Sequence, residues 1–158
     1  MATLTDPKRP ILLVATDFSE CARAALDRAL VLARALDGEV HLFHVIRFEG
    51  YPTTDLGVTV ANLMRDLEED AQRGLEELAR AVDPARERVR RFEFREGLPV
   101  DLIVNEARER GASMVVMGTH GRRGLSRLLM GSVAERVVRM APCDVLVVKG
   151  PAGASQAT

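Results

Sequence analysis

A chain of 158 residues, 47% hydrophobic and 28% charged, fits one globular domain with a substantial core and contains no uninterrupted apolar stretch long enough for a membrane span. A formal net charge of −1 and an aromatic content of one tyrosine, five phenylalanines and no tryptophan argue against a nucleic-acid field or a base-stacking platform. Cys21 and Cys143 form no metal-ligand spacing and the opening residues MATLTDPKRP hold no apolar signal core, so the expectation is a cytoplasmic protein with reduced thiols, packed as small hydrophobes.

Pro10 to Ala15 (PILLVA) is wholly apolar, the pattern of a strand buried on both faces of a parallel sheet. Ser19 stands as an N-cap with Glu20 in the first turn, and Ala22, Ala25, Leu26, Ala29, Leu30, Ala33 and Leu36 recur at helical spacing until Asp37-Gly38 stops the helix. Glu39 to Ile46 reads as a second strand, Arg47 to Gly57 as irregular, and Val58 to Val82 as a long amphipathic helix broken by Asp83-Pro84. Its apolar stripe is Met64, Leu67, Ala71, Leu75, Leu78 and Val82. The more polar Val89 to Arg95 suits a strand at a sheet edge. Pro99 opens a third helix with Val100, Ile103, Val104 and Ala107 inward, ended by Gly111. Ala112 to Met117 is a fourth strand. A last helix, Val133 to Met140, turns Val133, Val137, Val138 and Ala141 inward and stops at Pro142, before a fifth strand, Asp144 to Lys149.

Strands alternating with helices specify an α/β fold, a single-domain parallel sheet with helices on both faces, spanning residues 10–149 between flexible arms at 1–9 and 150–158. In such sheets ligands bind beyond the carboxyl ends of the strands, where the strand order reverses. Those ends carry Thr16 and Asp17, Val45 and Ile46, and Gly118 to Gly121.

The stretch Gly118 to Ser132 (GTHGRRGLSRLLMGS) joins a buried strand to a helix and holds Gly118, Gly121, Gly124 and Gly131. Glycine there admits positive φ and the close approach of a ligand or another backbone. The free amides and positive dipole end of the following helix suit a phosphate, and Ser132 adds a hydroxyl. No Gly-Lys-Ser or Gly-Lys-Thr follows, and the glycines are too widely spaced for a dinucleotide fingerprint.

The spacing G-x2-G-x9-G-S of Gly118, Gly121, Gly131 and Ser132, with VATDFS at Val14 to Ser19, HLFHV at His41 to Val45 and APCDVLVV at Ala141 to Val148, resembles the universal stress protein family, in its ATP-binding subgroup. The resemblance implies a Rossmann-like sheet ordered 3-2-1-4-5 with ATP at the switch point. It implies that the amides of Gly118, Gly121, Gly131, Ser132 and Val133 hold ribose and phosphates, with His120 and Arg122 at the phosphate mouth. Asp17 would sit by the adenosine, Ala15 and Thr16 would line its pocket, Val45 would bond the adenine through its main chain, and Met117 would pack nearby. Mg2+ would ride on the phosphates. The resemblance also implies a homodimer through the last strand, Val145, Leu146, Val147 and Val148, although Asp144 stands where the family often has proline.

The expected function is therefore ATP binding by a stress-response regulator with little or slow hydrolysis. The alternatives are an ATP-hydrolysing or phosphotransfer enzyme on the same scaffold, for which only His120 and the loop arginines volunteer, and a nucleotide-free interaction module. His41 and His44 read as strand packing.

Overall fold

Two hydrophobic clusters, one on each face of a five-stranded parallel sheet, organise the molecule in the computed structural model. The structure describes residues 9–47, 57–119 and 130–150. Their elements are β1 (Ile11–Thr16), α1 (Glu20–Ala35), β2 (Glu39–Ile46), α2 (Gly57–Val82), β3 (Val89–Glu96), α3 (Pro99–Arg110), β4 (Met114–Gly118), α4 (Ser132–Met140) and β5 (Asp144–Val148). The sheet order is β3-β2-β1-β4-β5, with every pairing parallel. The expected α/β architecture and strand order are both present. Most of the irregular stretch after Arg47, and nearly all of the two expected terminal arms, lie outside the described residues.

Strand β1 shows why its apolar run is unbroken. Ile11, Leu13 and Ala15 enter one cluster with Ile103 and Val104 of α3, while Leu12 and Val14 enter the other with Leu26 and Leu30 of α1 and Leu75 of α2. Each of the larger side chains, Ile11, Leu12, Leu13 and Val14, contributes about 1.5–3 kcal/mol when removed from water, so a one-residue slip in register is strongly opposed. Helices α1 and α2 therefore cover one face, and α3 and α4 the other.

Local signals explain most element ends. Ser19 Oγ accepts the Ala22 amide at 3.2 Å and caps α1. Pro99 opens α3, and Gly111 closes it in the left-handed conformation at φ 61°. The end of α1 differs from expectation. Asp37 takes the positive φ (49°), while Gly38 is needed because a Cβ there would stand 2.7 Å from the Pro10 carbonyl oxygen. Leu36 has left the buried stripe and is 53% exposed. Val138 is likewise exposed, because the inward face of α4 is centred on Ala134 and Val137 and leaves Val138 at its rim. Strand β4 starts later than its apolar pattern, since the Ala112 amide closes α3 by bonding Ala107 O at 2.9 Å.

Buried polar groups fix two places: the helix break already marked at Asp83, and Glu106, which the sequence pattern did not single out. Asp83 follows α2 and accepts the amides of Glu87 at 3.2 Å, Arg88 at 2.7 Å and Val89 at 2.8 Å, so it shapes the whole turn into β3. Burial pushes its carboxyl up, and these backbone bonds outweigh burial and hold it below the usual value. Glu106 of α3 is buried against Arg110 at 2.6 Å and Arg95 at 2.8 Å, with Glu93 bonded to Arg110 at 3.2 Å. Burial pushes both carboxyls up. On Glu93, bonds from Arg91, Glu106 and Arg110 overcome it and hold the pKa at about 2, whereas Glu106 stays above its usual value. Among the described residues no helix is long and apolar enough to cross a membrane.

Candidate functional site

The chain winds outward through β1, β2 and β3, then returns to the other side of β1 for β4 and β5. The reversal falls between β1 and β4, whose register pairs Ala15 with Met117. Two of the three strand ends singled out in the sequence, Thr16-Asp17 and Gly118-Thr119, are thus neighbours across this switch point.

The turn from β1 into α1 is held from several directions. Thr16 Oγ1 accepts the Phe18 amide at 3.1 Å, and Asp17 Oδ1 accepts the Ser19 amide at 3.1 Å. Phe18 sits at φ 64°, a left-handed conformation that costs a residue with a Cβ about 1–3 kcal/mol. His44 Nδ1 donates to the Thr16 carbonyl at 2.8 Å. A carbonyl only accepts, so a proton is carried on Nδ1. The Phe18 and His44 rings lie 4.5 Å apart, tilted by 41°. His44 is therefore a member of the turn's supporting structure, beyond the strand packing expected of it. The sequence held a signal for it, a histidine at the carboxyl end of a strand beside β1.

The glycines serve different purposes. A Cβ at Gly118 would stand 2.8 Å from Cys21 Cβ and 2.9 Å from the Cys21 carbonyl carbon, so Gly118 lets the end of β4 lie against the first turn of α1. Gly150 meets the same residue: a Cβ there would reach Cys21 Sγ at 2.5 Å. Neither glycine has a positive φ; among the described glycines only Gly97 and Gly111 do. Gly131 is the N-cap of α4, at φ −63° and ψ 148°, with no side-chain cap bond. Its own amide donates to Thr119 O at 2.8 Å, and the Thr119 amide donates to Val148 O at 2.9 Å. These two bonds seat α4 directly beyond the end of β4.

Ala15 and Met117 are buried in the α3/α4 cluster, and Val45 is half-buried against it, so these three candidates share one face. Thr16 is buried, Asp17 and Val133 half-buried, and Ser132 exposed at the first position of α4. His120, Gly121 and Arg122 lie outside the described residues. Cys21 and Cys143 are half-buried rather than fully packed away, and burial pushes the Cys143 thiol up. Among the described residues no three His, Cys, Asp or Glu side chains gather as a metal site.

Residues 9–149 match the model of the universal stress protein family. The chain is 35% identical over 143 residues to universal stress protein MJ0531 of Methanocaldococcus jannaschii, covering 89% of this chain and 82% of that protein. The solved structure of MJ0577 from the same organism superposes with a TM-score of 0.79 at 28% identity, over 92% of this chain and 99% of that one. The universal stress protein from Archaeoglobus fulgidus, solved in complex with dAMP, superposes with a TM-score of 0.54 at 25% identity, over 89% and 98% of the two chains. A family match from one end of the described fold to the other, on a sheet wound in this order, means that the chain belongs to the universal stress protein family.

Proposed function

We infer that the chain binds ATP in the crevice at the carboxyl ends of β1 and β4, as a stress-response regulator with little or slow hydrolysis. The observation that carries this reading is the start of α4. Its N-cap is a glycine with no side-chain cap bond, just beyond β4 at the switch point. A helix start of this kind favours an anion through its first amides and its dipole. The Gly131 amide already bonds Thr119 O, so the phosphate contacts fall to the Ser132 and Val133 amides and the Ser132 hydroxyl. Gly118 contributes by shaping the crevice. Gly121, His120 and Arg122 enter this reading from the sequence motif alone. Asp17 and Thr16 take the adenosine side, Val45 bonds the base, and Ala15 and Met117 close the pocket floor. Mg2+ rides on the phosphates. The dAMP held by the Archaeoglobus fulgidus relative supports an adenine nucleotide as the ligand class.

The same reading takes residues 10–149 as one nucleotide-binding domain, supported by the family match over 9–149. It pairs two copies through β5, an edge strand whose Val145, Leu146, Val147 and Val148 are half-buried within one chain. Nucleotide released by denaturing freshly purified protein, followed by titration with ATP and Mg2+, tests the reading. ATP carried through purification or bound on titration supports it, and no binding in either experiment overturns it. Rapid turnover of added ATP would favour the enzyme alternative. Sedimentation of the wild type as a monomer would remove the β5 pairing.

A further inference from the structure

We propose that Phe18 is a positioning residue that couples α2 to the β1–α1 turn, so that displacement of α2 at Gly74 changes the geometry of Asp17 and with it the ligand affinity of the crevice. The ligand part rests on the nucleotide reading above; the mechanical part does not.

The coupling is a short chain of contacts. Gly74 lies inside α2, where glycine is a poor helix former and alanine would ordinarily be preferred. A Cβ there would stand 3.0 Å from both Cε1 and Cζ of Phe18. The glycine thus makes room for the ring. The same ring meets His44 with centroids 4.5 Å apart, and His44 Nδ1 in turn donates to the Thr16 carbonyl at 2.8 Å. The Phe18 backbone is strained at φ 64°, and its amide bonds Thr16 Oγ1 at 3.1 Å. Strained residues persist where their surroundings over-determine them, and they gather at binding and switch regions. The half-buried Phe18 ring touches both α2 and β2, and its backbone already occupies a costly well. Pressure from α2 is therefore passed to Asp17, its neighbour in the chain, and to Thr16, whose hydroxyl its amide bonds. Helix α2 packs on the edge of the sheet, against β2 and β3, which makes it the element through which a change at that edge can reach the switch point.

Gly74→Ala tests this without touching the crevice, with Arg73→Ala as a control on the exposed side of the same turn. The first readout is the backbone amide resonances of residues 16–19 in the ligand-free protein. Gly74→Ala is expected to shift them and Arg73→Ala to leave them in place. The second is ATP affinity, expected to change roughly two- to thirtyfold in Gly74→Ala, with Phe18→Leu in that background restoring much of it. Unmoved turn resonances in folded Gly74→Ala overturn the inference, whatever the ligand does. Shifted resonances with an unchanged ATP affinity overturn its regulatory part. Shifted resonances in a protein that never binds ATP support the coupling and overturn the nucleotide reading instead.

Discussion

Replacing Gly118 by alanine separates a glycine that shapes the fold from one that only makes room for a ligand. The added Cβ would stand 2.8 Å from Cys21 Cβ, 2.9 Å from the Cys21 carbonyl carbon and 3.1 Å from its oxygen. Carbon contacts are comfortable at about 3.5–4.0 Å, so β4 and the first turn of α1 must part by roughly half an ångström or more. Overpacking of this kind costs about 1–3 kcal/mol, against which reduced freedom of the unfolded chain returns about 0.4–1 kcal/mol. The expected net loss is about 1–2 kcal/mol. For a chain of 158 residues that corresponds to a fall in Tm of roughly 2–8 °C. Urea denaturation followed by far-UV circular dichroism suits a protein without tryptophan. Two of the three close contacts are to backbone atoms, so Cys21→Gly should not rescue the variant. A Gly118→Ala protein as stable as the wild type, with only its ATP affinity reduced, would show that the glycine answers to the ligand and that the packing argument is wrong.

Gly131→Asp should stabilise the ligand-free protein by a few tenths to about 1 kcal/mol, by capping α4, while weakening ATP binding tenfold or more through charge repulsion; calorimetry on both states checks it, and unchanged affinity would move the phosphates elsewhere. Asp83→Asn should cost about 2 kcal/mol at pH 7, since the Arg88 and Val89 amides both bond Oδ2. The folded Asp83 pKa lies below its usual value of 3.8, so this contribution is present above that value and is lost as pH falls through the folded one. Urea midpoints at pH 7 and pH 3 should show the gap between wild type and variant narrowing, and a constant gap would refute the assignment. For Glu106 the sign is opposite. Its folded pKa is raised above 4.5, so the wild type is favoured at low pH and loses ground as pH rises through the folded value. Glu106→Gln cannot ionise and should gain relative to the wild type between pH 4 and pH 8, a trend read from the same midpoints and refuted by parallel curves.

How much was legible in the sequence follows from the range over which each signal acts. Ser19, Pro99 and Gly111 mark element ends through bonds and dihedrals a few residues long, and each does what its type and position suggest. The strand order came with the family resemblance, and the alternation of elements fixed the class. Periodicity gives the direction of a helix face but not the width of the neighbour that covers it, which is why Leu36 and Val138 look inward in the pattern and are exposed in the fold. The burial of Glu106 has no local signal, because Arg95 comes from a strand and only the tertiary packing joins it to Arg110. Glycine at position 118 signals a close approach without saying to what, and the backbone it accommodates belongs to Cys21. The strain at Phe18 has no sequence signature, since Thr-Asp-Phe-Ser is an ordinary turn composition until His44 and Gly74 are brought beside it.

The two ends of the sheet are built on different terms. At the amino end several polar groups are closely bonded: Asp83 takes three amides, Arg88 reaches Asp37 at 2.8 Å and Gly38 O at 3.1 Å, and the Glu39 amide bonds Pro10 O at 2.9 Å. The Arg88–Asp37 pair is exposed on the Asp37 side and adds little, so the buried Asp83 dominates the stability of that end. At the carboxyl end the structure keeps a left-handed Phe18, a helix start capped only by glycine, and a β4 terminus that tolerates no Cβ. The left-handed Phe18 costs about 1–3 kcal/mol, and the glycine cap gives up a few tenths of a kcal/mol against serine or aspartate. A fold that needed only to be stable would replace the glycine cap with serine or aspartate. Keeping the helix start open beside a turn held in a strained conformation is intelligible if an anion completes the first and an adjoining group uses the second. The same division explains why α2 matters beyond its core contacts: it is anchored by its own carboxyl end at Asp83 and meets the strained turn through Gly74, so it spans both ends of the sheet.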